Sequence, residues 1–165
     1  NVIVIDNGAG TINVSQGEDL SILNSQTYNE AIYKMYADIS GYLNDTKGSE
    51  FKPIDVQKFF NDTTTIINQE EVDISDTRKI ITSHIREIAS YIKNDFEYKS
   101  AKSIFLIGGA GADTITYWQE EFPNIKLIKD AQFINSRIYD AIAKDNFGED
   151  EKYENKKQVS TVQPK

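Results

Sequence analysis

Val2-Ile3-Val4-Ile5-Asp6-Asn7-Gly8-Ala9-Gly10-Thr11-Ile12-Asn13-Val14 is the stretch that decides how this chain folds. Its first four residues are β-branched and uninterrupted, the pattern of a central strand covered on both faces. Residues 6–10 supply turn chemistry, and Thr11-Ile12-Asn13-Val14 resumes the extended pattern. A turn at Gln16-Gly17-Glu18-Asp19 and the run Leu20-Ser21-Ile22-Leu23 complete an expected meander of three antiparallel strands. In the first turn, Gly8 and Gly10 would let the backbone take positive φ and approach an anion, so that successive N–H groups cradle a phosphate. Gly8, Gly10 and Thr11 are the expected donors. Asp6 would repel a phosphate on its own. It becomes useful if Mg²⁺, which keeps several of its waters, stands between them, so Asp6 reads as a metal residue acting through water. The same hexapeptide also suits a plain hairpin turn.

Further along, Thr27 and Glu30 have capping-box spacing ahead of a stripe of Ala31, Ile32, Met35, Tyr36, Ile39, Tyr42 and Leu43, which predicts a long helix. Breakers at Asn44, Asp45, Gly48, Ser49 and Pro53 open a small inserted subdomain at about residues 47–74, with short elements near 56–60 and 63–67. Ser75 is the expected cap of a second helix bearing Ile80, Ile81, Ile85, Ile88, Ala89, Ile92 and Phe96. Ile104-Phe105-Leu106-Ile107 is another doubly buried strand. It runs through Gly108-Gly109-Ala110-Gly111 into a short helix with Ile115, Trp118 and Phe122, stopped by Pro123. Residues 125–128 make one more strand, and Asp130 caps a final helix with Phe133, Ile134, Ile138, Ala141 and Ile142 inward. From Gly148 the chain is charged and without periodicity, so a disordered tail at 148–165 is expected after a domain at 1–147.

Composition narrows the function classes. A chain of 165 residues, 39% hydrophobic and 27% charged, suits one domain with a real core. Its mean hydropathy of -0.51 goes with the lack of any apolar run long enough for a membrane span. The absence of cysteine excludes disulfides, cysteine–zinc sites and thiol nucleophiles, and favours a cytoplasmic setting. A net charge of -8 argues against a broad basic face for nucleic acid. Starting at Asn1, directly before a buried strand and with no signal-peptide pattern, the chain reads as a piece of a longer polypeptide.

The second glycine-rich turn, at Gly108, Gly109 and Ala110, would let a flat ligand such as a nucleoside come close, with the positive end of the following helix beside it. Small residues there also suit close strand-to-helix packing. Taken together, an apolar strand with D-x-G-x-G-T and a second strand, then about a hundred residues later an apolar strand with G-G-A opening a helix, resembles the actin and sugar-kinase ATPase superfamily. Within it the chain is most similar to plasmid-segregation actins of the ParM type. That likeness rests on the modest insert and on the ending Lys129-Asp130-Ala131-Gln132-Phe133-Ile134-Asn135-Ser136. It departs at Ser136, where family members often have glycine.

The resemblance implies an α/β fold of the ribonuclease-H-like, actin-like type, with three antiparallel strands leading into parallel βα units and helices on both faces. It implies a phosphate motif at Asp6, Asn7, Gly8, Ala9, Gly10 and Thr11, and an adenosine motif reaching Gly108, Gly109 and Ala110. It further implies ATP, or GTP, with Mg²⁺; head-to-tail self-assembly into filaments; and a DNA-bound adaptor protein, in the bacterial cytoplasm, with no direct nucleic-acid or membrane partner. The catalytic residues would lie in a first domain outside these 165 residues.

Other readings remain at this stage. Gly109-Ala110-Gly111 after a strand and Asp130 about twenty residues on suit a dinucleotide-binding domain, although Thr114 stands where its third glycine belongs. A sugar kinase, a chaperone-type ATPase and a non-enzymatic interaction module are the remaining alternatives. His84 is expected at a helix surface or boundary without chemical duty, Glu70-Glu71 and Glu120-Glu121 as solvated charge, and Trp118 in or beside the core.

Overall fold

The computed structural model describes residues 1–19, 21–29 and 31–128. Its main sheet has five strands in the order β3-β2-β1-β6-β7. They are β1 (Val2–Asn7), β2 (Ile12–Glu18), β3 (Ser21–Tyr28), β6 (Ser103–Ile107) and β7 (Ile125–Leu127). A separate two-stranded ribbon pairs β4 (Thr64–Ile67) with β5 (Glu70–Asp73). The meander β1-β2-β3 is antiparallel, whereas β1, β6 and β7 run parallel. The fold is therefore α/β with a mixed sheet.

Alternation along β1 puts Ile3, Ile5 and Asn7 on one face, and the parallel register sets Ile104 and Leu106 beside the first two. With Ile12 and Val14 they form the sheet side of a single core. The helix side comes from α1 (Ile32–Lys47), through Ile32, Met35, Tyr36, Ile39 and Leu43, and from α3 (Thr77–Asp95), through Ile81, Ile85, Ile88, Ala89 and Ile92. Trp118 of α4 (Gly111–Glu121) completes it. These stripes recur every three or four residues, so each helix buries one face. Gly48 ends α1 in the left-handed region, at φ 67°, where glycine carries no steric cost.

Between α1 and α3, the short α2 (Pro53–Val56) and the β4-β5 ribbon occupy the segment read as an insert. Val56, Phe59, Phe60 and Ile74 belong to the same core as the main sheet, and Phe60 meets Tyr36 edge-on with ring centroids 5.3 Å apart. The segment is thus packed onto the domain. No described helix is long and apolar enough to cross a membrane.

Several local expectations are corrected. Thr27 does not cap α1: it lies in β3, paired with Asn13, and its hydroxyl donates to Asn13 Oδ1 at 2.8 Å. The strand therefore runs to Tyr28, α1 starts from Ala31 without a side-chain cap, and Glu30 lies outside the described residues. Gln16 to Glu18 belong to β2 and not to a turn, with a register shift between Gln16 and Gly17. Asp76, not Ser75, precedes α3. His84 is buried, its Nε2 2.6 Å from Asp38 Oδ2, so it links α3 to α1. Glu121 is mostly buried too, accepting from Lys93 Nζ at 2.7 Å and from Arg86 Nε at 3.2 Å. The closing segment, the helix expected after Asp130 and the tail lie outside the described residues.

Candidate functional site

Because β1 and β6 are parallel neighbours, the turns that follow them emerge at the same edge of the sheet, the carboxyl end where open α/β sheets hold ligands. The topology thus brings together two glycine turns about a hundred residues apart in the chain. The first, residues 8–11, closes the β1-β2 hairpin with the Gly8 N–H donating to Thr11 O at 3.1 Å. A Cβ on Gly8 would stand 2.9 Å from that same oxygen, so glycine permits the closure. Its amide is spent on the turn, which leaves Ala9, Gly10 and Thr11 as the amides to offer a ligand. Neither Gly8 nor Gly10 has positive φ; tight approach, not left-handed backbone, is the reason for glycine at position 8.

Gly108 is the left-handed residue of the pair, at φ 91°. A Cβ there would lie 2.5 Å from both Asn7 O and Asp6 Oδ1, so the second turn sits directly on the end of β1 and the Asp6 carboxylate leans over it. The Ala110 N–H donates to Asn7 O at 3.2 Å, and Asn7 Nδ2 donates to Thr114 Oγ1 at 2.9 Å within the core. Asn7 is fully buried, so its side chain is committed to α4, and its share of the site is the backbone. By contrast, nothing lies within 4 Å of where a Cβ on Gly10 or Gly109 would stand; these two glycines face open space above the edge. The Ala9 carbonyl accepts from the Tyr33 N–H at 3.2 Å, which holds the start of α1, a 16-residue helix, against the first turn.

Thr114 escaped the sequence reading as a partner of Asn7. The stripe read from the sequence was Ile115, Trp118 and Phe122, whereas Thr114 is the buried residue one turn before Trp118, and the 107 residues between it and Asn7 are bridged only by folding. Gly111 is a packing residue, since its Cβ would stand 3.1 Å from Leu127 Cδ1. Among the described residues no group of three or more histidines or carboxylates is placed to hold a metal ion.

No protein-family model matches the sequence, and no curated protein matches it. Solved structures do. An archaeal actin homologue in complex with ADP superposes at a TM-score of 0.75, with 19% identity, over 87% of this chain and 49% of that one. This chain has the actin-like fold. A ParM filament from Clostridium botulinum shares that actin-like fold at a TM-score of 0.70, with 18% identity over 87% and 45%. MreB5 of Spiroplasma citri bound to AMPPNP matches at 0.68, with 16% identity over 87% and 54%. The chain spans about half the length of each of these actin-like proteins. Its antiparallel β1-β2-β3 half is also not the βαβ pair from which a dinucleotide-binding domain is built.

Proposed function

We propose that this chain is the nucleotide-gripping second domain of a filament-forming actin-like ATPase that segregates plasmid DNA in the bacterial cytoplasm. The observation that carries the reading is the meeting of two glycine turns at one sheet edge, with Gly10 and Gly109 both open to a ligand. In this assignment the amides of Ala9, Gly10 and Thr11 receive the terminal phosphates, Asp6 accepts from a Mg²⁺-bound water, and Gly108, Gly109 and Ala110 lie against the nucleoside. Bound Mg²⁺ neutralises phosphate charge that Asp6 would otherwise repel. The nucleotide-bound archaeal and MreB5 structures and the ParM filament support nucleotide and self-assembly as the directions to test. Hydrolysis needs groups from a companion domain, and closure of the two on ATP would favour head-to-tail polymer. With a net charge of -8, the domain would reach DNA through a bound adaptor and not by itself.

Calorimetric titration with Mg²⁺-ATP, Mg²⁺-ADP and NAD tests the site. The expected result is binding of the adenine nucleotides in a Mg²⁺-dependent manner, weakened by Asp6→Ala, and none of NAD. Failure of the chain to bind any nucleotide would remove the reading. For the assembly step, light scattering and pelleting of the longer protein with Mg²⁺-ATP should show polymer that Asp6→Ala abolishes; ATP binding without polymer would point to a kinase-like or chaperone-like ATPase.

A further inference from the structure

The buried Asn7 side chain does more than fill space. Thr114 Oγ1 donates to Ala110 O at 2.7 Å, so its hydroxyl proton is committed and the oxygen can only accept from Asn7. This fixes the amide orientation: Nδ2 faces Thr114 at 2.9 Å, while Oδ1 has no partner among the described residues. Asn7 O takes the Ala110 N–H, and Gly108 rests on that same carbonyl. One residue at the end of β1, near the start of the first motif, thus holds the second turn at residues 108 and 110 and the first turn of α4 at Thr114. The next residue, Gly8, starts the hairpin closure to Thr11.

We infer that Asn7 and Thr114 form a latch that couples the two turns, so that a nucleoside ordering residues 108–110 also preorders the phosphate turn at 8–11. The inference rests on the nucleotide reading above and assigns Asn7 a positioning role within it. Rigid linkage is the physical basis: a site that is ordered by one ligand costs the second ligand less, and the effect is reciprocal. The latch accounts for a polar pair at a core position where two apolar residues would pack without an orphaned oxygen.

Three variants separate coupling from mere stability. Thr114→Val removes the acceptor, Thr114→Ser keeps it, and the double change Asn7→Leu with Thr114→Val replaces both partners by apolar groups, which is close to neutral for folding. Amide hydrogen exchange is followed at Gly8 and Ala110 in the unliganded chain. Adenosine affinity is then measured with and without saturating Mg²⁺-pyrophosphate. In the wild type, pyrophosphate should raise adenosine affinity roughly fivefold or more. The double variant should lose that enhancement and exchange faster at both amides together, and Thr114→Ser should behave as wild type. Faster exchange at Ala110 with Gly8 unchanged, or full coupling kept in the double variant, would overturn the latch. If the wild type binds neither ligand, the nucleotide reading falls, and the paired exchange at Gly8 and Ala110 still decides whether the turns are latched.

Discussion

Gly108 and Gly109 are neighbours in one turn, yet a methyl group added to each meets opposite surroundings. At Gly108 it would strike the Asn7 carbonyl and the Asp6 carboxylate at 2.5 Å while forcing alanine to φ 91°. Gly108→Ala should therefore lower stability by about 2 kcal/mol, read from the urea unfolding midpoint. At Gly109 the methyl would meet nothing within 4 Å. Gly109→Ala should leave the unfolding free energy within about 1 kcal/mol of wild type and still weaken nucleotide binding, because the added carbon would occupy the proposed approach of the ligand. A Gly109→Ala protein with unchanged nucleotide affinity would mean that the nucleoside does not approach this turn. The glycines were legible in the sequence; the different demand on each was not, since it depends on where β1 ends relative to β6.

Between elements, polar links join the helices over the apolar stripes. Glu121 of α4 is reached by Lys93 and Arg86, both from α3. The hydrogen bond from Lys93, helped by Arg86 and opposed by partial burial, holds the Glu121 carboxyl below its ordinary value of 4.5. A carboxylate with a depressed folded pKa stabilises the protein above the unfolded value, and that contribution is lost as pH falls through the folded one. Glu121→Gln should thus cost about 1 kcal/mol at neutral pH. The difference from wild type should shrink as pH drops below 4.5, which thermal unfolding at a series of pH values would show. A gap between the two proteins that stays constant down to the acid transition would mean that Glu121 acts through packing alone. At the same C-terminal end of α3, Tyr28 of β3 donates to Asp95 Oδ2 at 2.8 Å and stacks on Tyr91, with ring centroids 5.9 Å apart. These contacts explain why β3 runs beyond its apolar start: the strand is anchored by its last residue, whereas Ile22 and Leu23 are exposed.

For the whole molecule, the proposed site lies on the sheet edge and not in the core, so nucleotide should bind the folded chain without repacking it. Ligand that binds only the folded state stabilises it by about 2.7 kcal/mol at a hundredfold excess over Kd. For a chain of 165 residues this corresponds to a rise of several degrees in the melting temperature, about 5 to 10 °C. Mg²⁺-ADP should produce that rise in wild type, and a much smaller one in Asp6→Ala, by differential scanning fluorimetry. Equal shifts in the two proteins would remove Asp6 from the metal-water role while leaving the nucleotide in place.

The strands of the main sheet, the helix stripes, the glycine turns and the core position of Trp118 were all within reach of the sequence, because each follows from periodicity or turn chemistry over a few neighbouring residues; the placing of β6 beside β1 came only from the tertiary structure. The fate of Thr27 was not, since a capping box and a strand end look alike until Asn13 is found opposite. Nor were the burial of His84 against Asp38, the ion pairs of Glu121, the use of the Gly8 amide within its own turn, or the tie from Asn7 to Thr114. The Asn7 link spans 107 residues and the His84 link 46. Local pattern decides which face of an element is apolar; only packing of one element on another decides which polar groups those faces bring together.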